Sequence, residues 1–464
     1  MIREKWYEWK NWRGMVHTTW NPKDPGAIRI HMIPPRFRWF HFVPSVAILN
    51  GNQIVPVNES WAILLTEFIK NLNRYGDGEM PDGELEQIIR DTCAGMRKVF
   101  PSADEELFRE DLLLISEVFE DIARGQTPEI DIGQMDIGSY APYMTAPHRM
   151  DLMVSAMEKD GKWNCNQHCI HCYAAGQVHA NEEELDTEAW KHIIEKCRKA
   201  RIPQLTFTGG EPTQREDLFE LIYAARWFVT RLNTNGVRLT GKYCEKLVEA
   251  ELDNVQITLY SADRNIHNKL TGSAHYDETV AGIGNAVKAG LSVNVNTPLC
   301  RENADYAGTV EFLKSLGVVY ATCSGMIPAG GAVSPGAADM KLTQEEITEI
   351  VGKAAEYCGK NGMEIQFTSP GWIAEEDLQR MGLAIPSCGA CLSNMAVTPS
   401  GDVVPCQSCL DRETFGNMHN TKWNKIWNHP ACKKRREFSQ QMKQECPLGQ
   451  SVKRGEEENA DESE

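Results

Sequence analysis

Three cysteines, Cys165, Cys169 and Cys172, form a C-x3-C-x2-C run, and a Gly209-Gly210-Glu211-Pro212 turn follows one βα unit later. A four-iron cluster takes one thiolate per iron, so this loop supplies three ligands and leaves the fourth iron open to an exogenous group. An open iron suggests chemistry rather than electron storage alone. Three cysteines are also half of a zinc site, with His168 as a further ligand, although zinc knuckles favour paired C-x2-C units. No zinc reading explains the glycine turn. A Gly-Gly pair after a strand is, taken alone, what any βα loop needing positive φ would use.

At these residues the chain resembles the radical SAM superfamily, over roughly residues 148–330 and with the motifs in that family's order. The resemblance implies a [4Fe–4S] cluster on Cys165, Cys169 and Cys172, with S-adenosylmethionine chelated at the open iron. It also implies cleavage of that cofactor to methionine and a 5′-deoxyadenosyl radical that takes a hydrogen atom from the substrate. His171 fills the family's aromatic slot near the adenine, with Tyr173 beside it. Gly209, Gly210 and Glu211 match the turn that holds the cofactor's amino group. Thr258-Leu259-Tyr260-Ser261 stands where the family contacts ribose and carboxylate, with Asn296 one strand further on. The family offers no universal acid or base, so no residue is singled out for proton transfer.

A second cysteine group reads C-x2-C-x14-C-x2-C at Cys388, Cys391, Cys406 and Cys409, followed by Cys432 and Cys446. From spacing alone a zinc ribbon competes. The stretch Ala396-Val397-Thr398-Pro399-Ser400-Gly401-Asp402-Val403-Val404-Pro405-Cys406 resembles the SPASM/twitch extension of radical SAM maturases, as do Phe415-Gly416-Asn417-Met418 and Trp427. That resemblance implies at least one auxiliary [4Fe–4S] cluster, on Cys388, Cys391 and Cys406 with Cys446 as the fourth ligand; Cys409 and Cys432 stay open as alternatives.

The elements that position these groups follow from periodicity. Short apolar strands near 150–155, 204–208, 229–234, 255–260, 292–296 and 319–323 alternate with helices over 186–199, 215–226, 241–251, 277–289 and 305–316. Six βα repeats predict a parallel sheet with right-handed crossovers. The expected class is α/β, a partial (β/α)6 TIM-like barrel, with the motifs at the carboxyl ends of strands. A Cys-rich extension over 331–450 and an acidic tail over 451–464 follow.

Upstream, residues 1–40 hold five of the twelve tryptophans (Trp6, Trp9, Trp12, Trp20, Trp39), and amphipathic packing is the expectation there. Residues 41–125 read as a separate module. Asn50-Gly51 between two apolar runs is a hairpin signal, and three amphipathic helices follow. This winged-helix-like outline resembles the PqqD-like domain that binds the leader of a precursor peptide as an added strand. A winged helix used for packing or dimerisation has the same outline. DNA binding is disfavoured by the acidic third helix (Glu105, Glu106, Glu110, Asp111). Residues 126–147 read as a linker.

Composition sets the remaining bounds. With 464 residues, 42% apolar and 24% charged, the chain reads as globular. No apolar run approaches the roughly eighteen residues that span a bilayer, and the charged, aromatic start has no signal-peptide core. A cytoplasmic location is expected, with no membrane partner. Fifteen cysteines in a reducing compartment point to metal clusters rather than disulfides. Cys93, Cys197, Cys244 and Cys358 fall on helical patterns and read as buried thiols. A net charge of −17 argues against a nucleic-acid partner, which needs a basic face.

Together these readings predict a radical SAM maturase that installs an oxidative crosslink, thioether or carbon–carbon, in a ribosomally made precursor peptide. Its partners would be that peptide, its leader held by the N-terminal module, and an electron donor such as flavodoxin or ferredoxin. Radical SAM synthesis of a tetrapyrrole or another small cofactor is the alternative, and a non-catalytic redox scaffold is a third reading.

Overall fold

The computed structural model describes residues 16–20, 28–33, 37–38, 41–42, 45–51, 53–74, 82–102, 104–130, 132–133, 135–411 and 414–448. The sequence readings on Trp6, Trp9, Trp12, Trp39 and the acidic tail lie outside the described residues. The chain divides into two compact units, Met1–His148 with Cys197–Pro203, and Arg149–Lys196 with Gln204–Glu464.

In the first unit, β1 (Val16–Trp20), β2 (Ile28–Ile33), β3 (Ser45–Leu49) and β4 (Gln53–Val57) form an antiparallel sheet in sequential order. The hairpin at Asn50-Gly51 is present. Both residues have positive φ (48° and 77°), as a turn matching strand twist requires. Three helices follow, α1 (Glu59–Leu72), α2 (Asp82–Arg97) and α3 (Glu105–Ala123). Their apolar stripes (Ile63, Leu64, Phe68; Ile88; Phe108, Leu112, Ile115, Phe119) bury against Ile30, Leu49 and Val55 of the sheet. The sheet differs from expectation at its start, because two of its four strands come from the tryptophan-rich segment. A boundary at residue 41 would cut through it. The segment read as a linker also contributes, with the Met135 N–H donating to the Ile54 carbonyl at 2.9 Å.

The second unit carries β5 (Arg149–Ser155), β6 (Gln204–Gly209), β7 (Val229–Thr234), β8 (Asn254–Thr258), β9 (Ser292–Pro298), β10 (Tyr320–Ser324), β11 (Glu364–Phe367), β12 (Asn394–Val397) and β13 (Val403–Val404). Their order in one sheet is β11-β10-β9-β8-β7-β6-β5-β12-β13, parallel throughout except for the β12–β13 pair. The six expected strands are all there, in order. Two more parallel strands extend the sheet, β11 at one edge and β12 beside β5, where Asn394 registers with Arg149.

The helices α4 (Thr187–Ala200), α5 (Leu218–Ala224), α6 (Gly241–Glu249), α8 (Tyr276–Lys288) and α9 (Tyr306–Ser315) fall where periodicity placed them. Among the further helices, α7 (Arg264–Thr271) follows β8. It starts at Asp263, whose carboxylate accepts from the N–H groups of Asn265 and Ile266, and stops at left-handed Gly272.

Strands β6–β9 in the middle of the sheet have one largely apolar and one polar face, since side chains alternate. Leu205, Phe207, Leu232, Val255, Ile257, Val293 and Val295 are fully or nearly fully buried on the helix side. The inner face registers Asp151, Thr206, Arg231 and Asn254 in one row, and Asn233, Gln256 and Asn294 in the next. Parallel sheets are ordinarily apolar on both faces. A polar lumen is costly unless its groups are hydrogen-bonded, so this one is built to receive something polar.

Candidate active site

The three cysteines sit in the loop after β5, where a short antiparallel ladder (Glu158–Lys159 with Lys162–Trp163) leads into Cys165. Backbone hydrogen bonds from neighbouring elements hold the loop. The His168 and Ile170 N–H groups donate to the carbonyls of Thr271 and Leu270, at 2.8 and 3.0 Å, so the end of α7 shapes the turn. Gly331 N–H donates to the Cys172 carbonyl at 2.8 Å. Gly330, at φ +58°, lies so close that a Cβ there would stand 2.3 Å from the Tyr173 oxygen and 2.6 Å from that of Cys172. Sequence reading missed this glycine pair, whose signal was the Gly330-Gly331 doublet itself.

Burial pushes the thiols of Cys165, Cys169 and Cys172 up, that of Cys169 to about 12. A thiolate here needs a compensating cation, and metal coordination supplies one. The donor set therefore fits a cluster. The Tyr260 hydroxyl hydrogen-bonds the Cys169 sulfur, and its ring lies 5.0 Å from that of His171 in an edge arrangement. Tyr260 falls in the stretch read from sequence, without a role assigned to it.

His171 is 6% exposed, and neither ring nitrogen has a hydrogen-bond partner. Burial lowers its pKa to about 4, so the imidazole is neutral at physiological pH. Two orphaned nitrogens in a buried ring are costly. Ser155 Oγ and Gln167 Nε2 are orphaned likewise. These groups fit a polar cofactor lying against the loop.

The glycine turn ends β6. Gly209 breaks the register there, and a Cβ on it would stand 2.2 Å from the Ser155 oxygen. Glu211 is 2% exposed. Its carboxylate accepts from Thr213 N–H (3.0 Å), Thr213 Oγ1 (2.6 Å), Thr234 Oγ1 (2.7 Å) and Asn235 N–H (2.8 Å). Burial raises its pKa and these donors oppose the rise. Asn235 then donates from its side-chain amide to Asn166 Oδ1 at 2.6 Å, tying the turn to the residue after Cys165. Asn235 and Asn166 were not singled out from sequence; the Asn-Gly pair at 235–236 was the available cue.

Thr258 and Asn296 are register partners on β8 and β9. Asn296 Oδ1 accepts from the Thr322 hydroxyl at 3.1 Å. Ser261, 5% exposed, accepts from the Asp263 N–H at 3.0 Å. The Tyr173 hydroxyl shares a hydrogen bond with the Thr208 side chain, and Tyr173 feels the charges of Cys172, Asp151 and Cys406. It thus lies between the first cysteine loop and the second cysteine group, packed against the buried Met153, Ala396 and Val404.

That second group brings six cysteines together. Cys391, in a left-handed conformation (φ 60°), hydrogen-bonds Cys432, and both Cys388 and Cys391 interact with Cys406. Cys406 hydrogen-bonds Cys409, and both pack in one cluster with Cys446 and Leu448. Arg436 Nη1 donates to the Cys432 sulfur at 3.6 Å. Gln177 joins the two groups. Its amide donates to the carbonyls of Tyr173 and Ser408 and accepts from Leu410 N–H at 2.9 Å. Cys93, Cys197, Cys244 and Cys358 are buried elsewhere.

Residues 164–313 match the Radical SAM superfamily, and residues 388–448 match SPASM, an iron–sulfur cluster-binding domain. The chain carries a radical SAM domain followed by a SPASM domain. It is an enzyme, and its cofactors are a [4Fe–4S] cluster, S-adenosylmethionine and auxiliary iron–sulfur. The chain is 26% identical over 282 residues to an AdoMet-dependent heme synthase of Oleidesulfovibrio alaskensis, covering 57% of this chain and 72% of the relative. It is 28% identical over 274 residues to a PqqA peptide cyclase of Streptomyces rochei, covering 57% and 72%. The crystal structure of Streptococcus suis SuiB bound to precursor peptide SuiA superposes with a TM-score of 0.56 at 13% identity, over 85% of this chain and 88% of that one. That likeness shows a shared fold. Among the described residues, no helix is long and apolar enough to cross a membrane.

Two predictions follow from the radical SAM and SPASM geometry. Gly330→Ala is expected to displace the cysteine loop and cost about four irons per chain after anaerobic reconstitution. Gly336→Ala, where a Cβ meets nothing within 4 Å, should keep them. Equal iron in the two variants would contradict the clamp. For the second group, Cys446→Ala is expected to lose about four irons and Cys432→Ala to retain them. The reverse result would make Cys432 the fourth auxiliary ligand.

Proposed function

We propose that this enzyme matures a ribosomally made precursor peptide, installing a thioether or carbon–carbon crosslink. The observation that carries the reading is the polar inner face of the sheet, together with Tyr173 and Gln177, which link the three-cysteine loop to the six-cysteine group. An extended substrate held on that face would reach both groups. Similarity to PqqA peptide cyclases supports a peptide. So does the likeness to SuiB, which covers 85% of the chain, more than the barrel and cysteine-rich extension alone can fill. The antiparallel sheet with its three helices would bind the leader by strand addition. A flavodoxin or ferredoxin would supply electrons.

Cys165, Cys169 and Cys172 would hold the first cluster, and Cys388, Cys391, Cys406 and Cys446 the auxiliary one. When bound, the cluster and S-adenosylmethionine would supply hydrogen-atom abstraction from an unactivated carbon. The chain's own residues do the rest. His171 would offer its unused ring nitrogens to the adenine. Because four donors already engage the Glu211 carboxylate, Gly209 and Gly210 would meet the amino group through backbone carbonyls, with Glu211 holding the turn rigid. Thr258 and Asn296, side by side, would contact the ribose. Ser261 keeps its hydroxyl proton free to donate to the carboxylate. Tyr173, anchored on Thr208, would form the wall on the lumen side.

Similarity to the heme synthase favours a second reading, small-cofactor synthesis. It leaves the N-terminal sheet and helices without a role.

Anaerobically reconstituted protein with dithionite and S-adenosylmethionine is expected to yield 5′-deoxyadenosine by mass spectrometry. The Cys165→Ala/Cys169→Ala/Cys172→Ala variant should yield none. No product from wild type with its iron intact would sink the catalytic proposal.

A further inference from the structure

The Arg231 guanidinium makes no hydrogen bond or ion pair among the described residues, and its electrostatic neighbours are Arg149 and Asp151. On β7 it faces the lumen. Its neighbour Leu232 is fully buried on the other side, and Thr230 bonds the Asp253 carboxylate there. Register places Arg231 beside Thr206 on β6 and Asn254 on β8, with Asp151 one strand beyond Thr206. Asp151 cannot neutralise it. That carboxylate is 1% exposed and paired with the Arg149 guanidinium at 2.8 Å. Two guanidiniums and one carboxylate leave one uncompensated positive charge in the lumen. Burial, with Arg149 alongside, lowers the Arg231 pKa to about 10, so it stays charged at neutral pH.

Beside it Thr206 Oγ1 is buried with no partner. A planar guanidinium fork matches a carboxylate in two parallel hydrogen bonds, and a hydroxyl alongside can donate a third. Asp151 also interacts with Tyr173 and with Cys406. The row thus runs from Asp151, near both cysteine groups, to Arg231 two strands away, on the polar face below the glycine turn.

We propose that Arg231, with Thr206, is the receptor for a carboxylate on the substrate, so that the modified peptide carries an acidic side chain into the lumen. The carboxylate is read from the receptor; that a peptide carries it rests on the function proposed above.

The test compares N-acetyl-L-glutamate N-methylamide with its glutamine counterpart, two probes that differ only in the side-chain charge. Binding to the full-length reconstituted protein is read by calorimetry. Wild type is expected to bind the glutamate probe at least about tenfold more tightly than the glutamine probe. Arg231→Gln should abolish that preference, and Arg231→Lys, which keeps charge but loses the fork, should retain part of it. In wild type the glutamate probe, and not the glutamine probe, should slow phenylglyoxal modification of Arg231 followed by peptide mass spectrometry; this reading needs no variant to fold. Equal binding of the two probes, unprotected Arg231, or a preference that survives in Arg231→Gln would each overturn the proposal. Equal binding in a protein that forms 5′-deoxyadenosine removes the carboxylate receptor and leaves the radical reading standing. Preference for glutamate without 5′-deoxyadenosine does the opposite.

Discussion

Three half-buried thiols at the mouth of a parallel sheet govern this structure, because desolvation disfavours their ionised form and a bound cation reverses that. Cys169 is pushed to about 12 by desolvation; iron coordination favours the thiolate instead. The rest of the fold holds the loop that carries them. Its neighbours do this with backbone contacts, from the end of α7 on one side and from Gly330-Gly331 on the other. Glu211, spent on four internal donors, fixes the adjacent turn and reaches the loop through Asn235 and Asn166.

The second constraint is the lumen. The apolar side of the central strands is buried under helices, so the stability of the sheet comes from that face. The inner face is free to be polar and carries Arg231, Asn233, Gln256, Asn294 and Asn296. Tyr173 and Gln177 belong to the first cysteine loop yet reach the second group, Tyr173 through the field of Cys406 and Gln177 through Ser408 and Leu410. Radical SAM and SPASM domains thus share one wall.

Much of this was legible in the sequence, and what was not has physical causes. The six strands could be read because their outward positions are apolar and alternate with period two. The cysteine spacing and the glycine turn could be read because local chain geometry sets them. Helix α7 escaped notice because Ile266 and Leu270 are its only large apolar residues, and it is defined by its caps, Asp263 and Gly272. Strand β11 has Glu364 and Gln366 on one face and is four residues long, too short for a periodic signal. The strands at 16–20 and 28–33 were hidden by a reading that attended to tryptophan content. The contacts of Tyr260 with Cys169, of Cys432 with Cys391 and the unpaired state of Arg231 are nonlocal, and spacing along one chain does not encode them.

The central claim is that the three-cysteine loop holds a cluster with one iron open to S-adenosylmethionine. Electron paramagnetic resonance of the dithionite-reduced protein, recorded with and without S-adenosylmethionine, tests it most directly. A signal is expected whose g-values move when the cofactor is added and which is missing from the Cys165→Ala/Cys169→Ala/Cys172→Ala variant. A reduced-cluster signal that S-adenosylmethionine leaves unchanged, or one that persists in full in the triple variant, would contradict it.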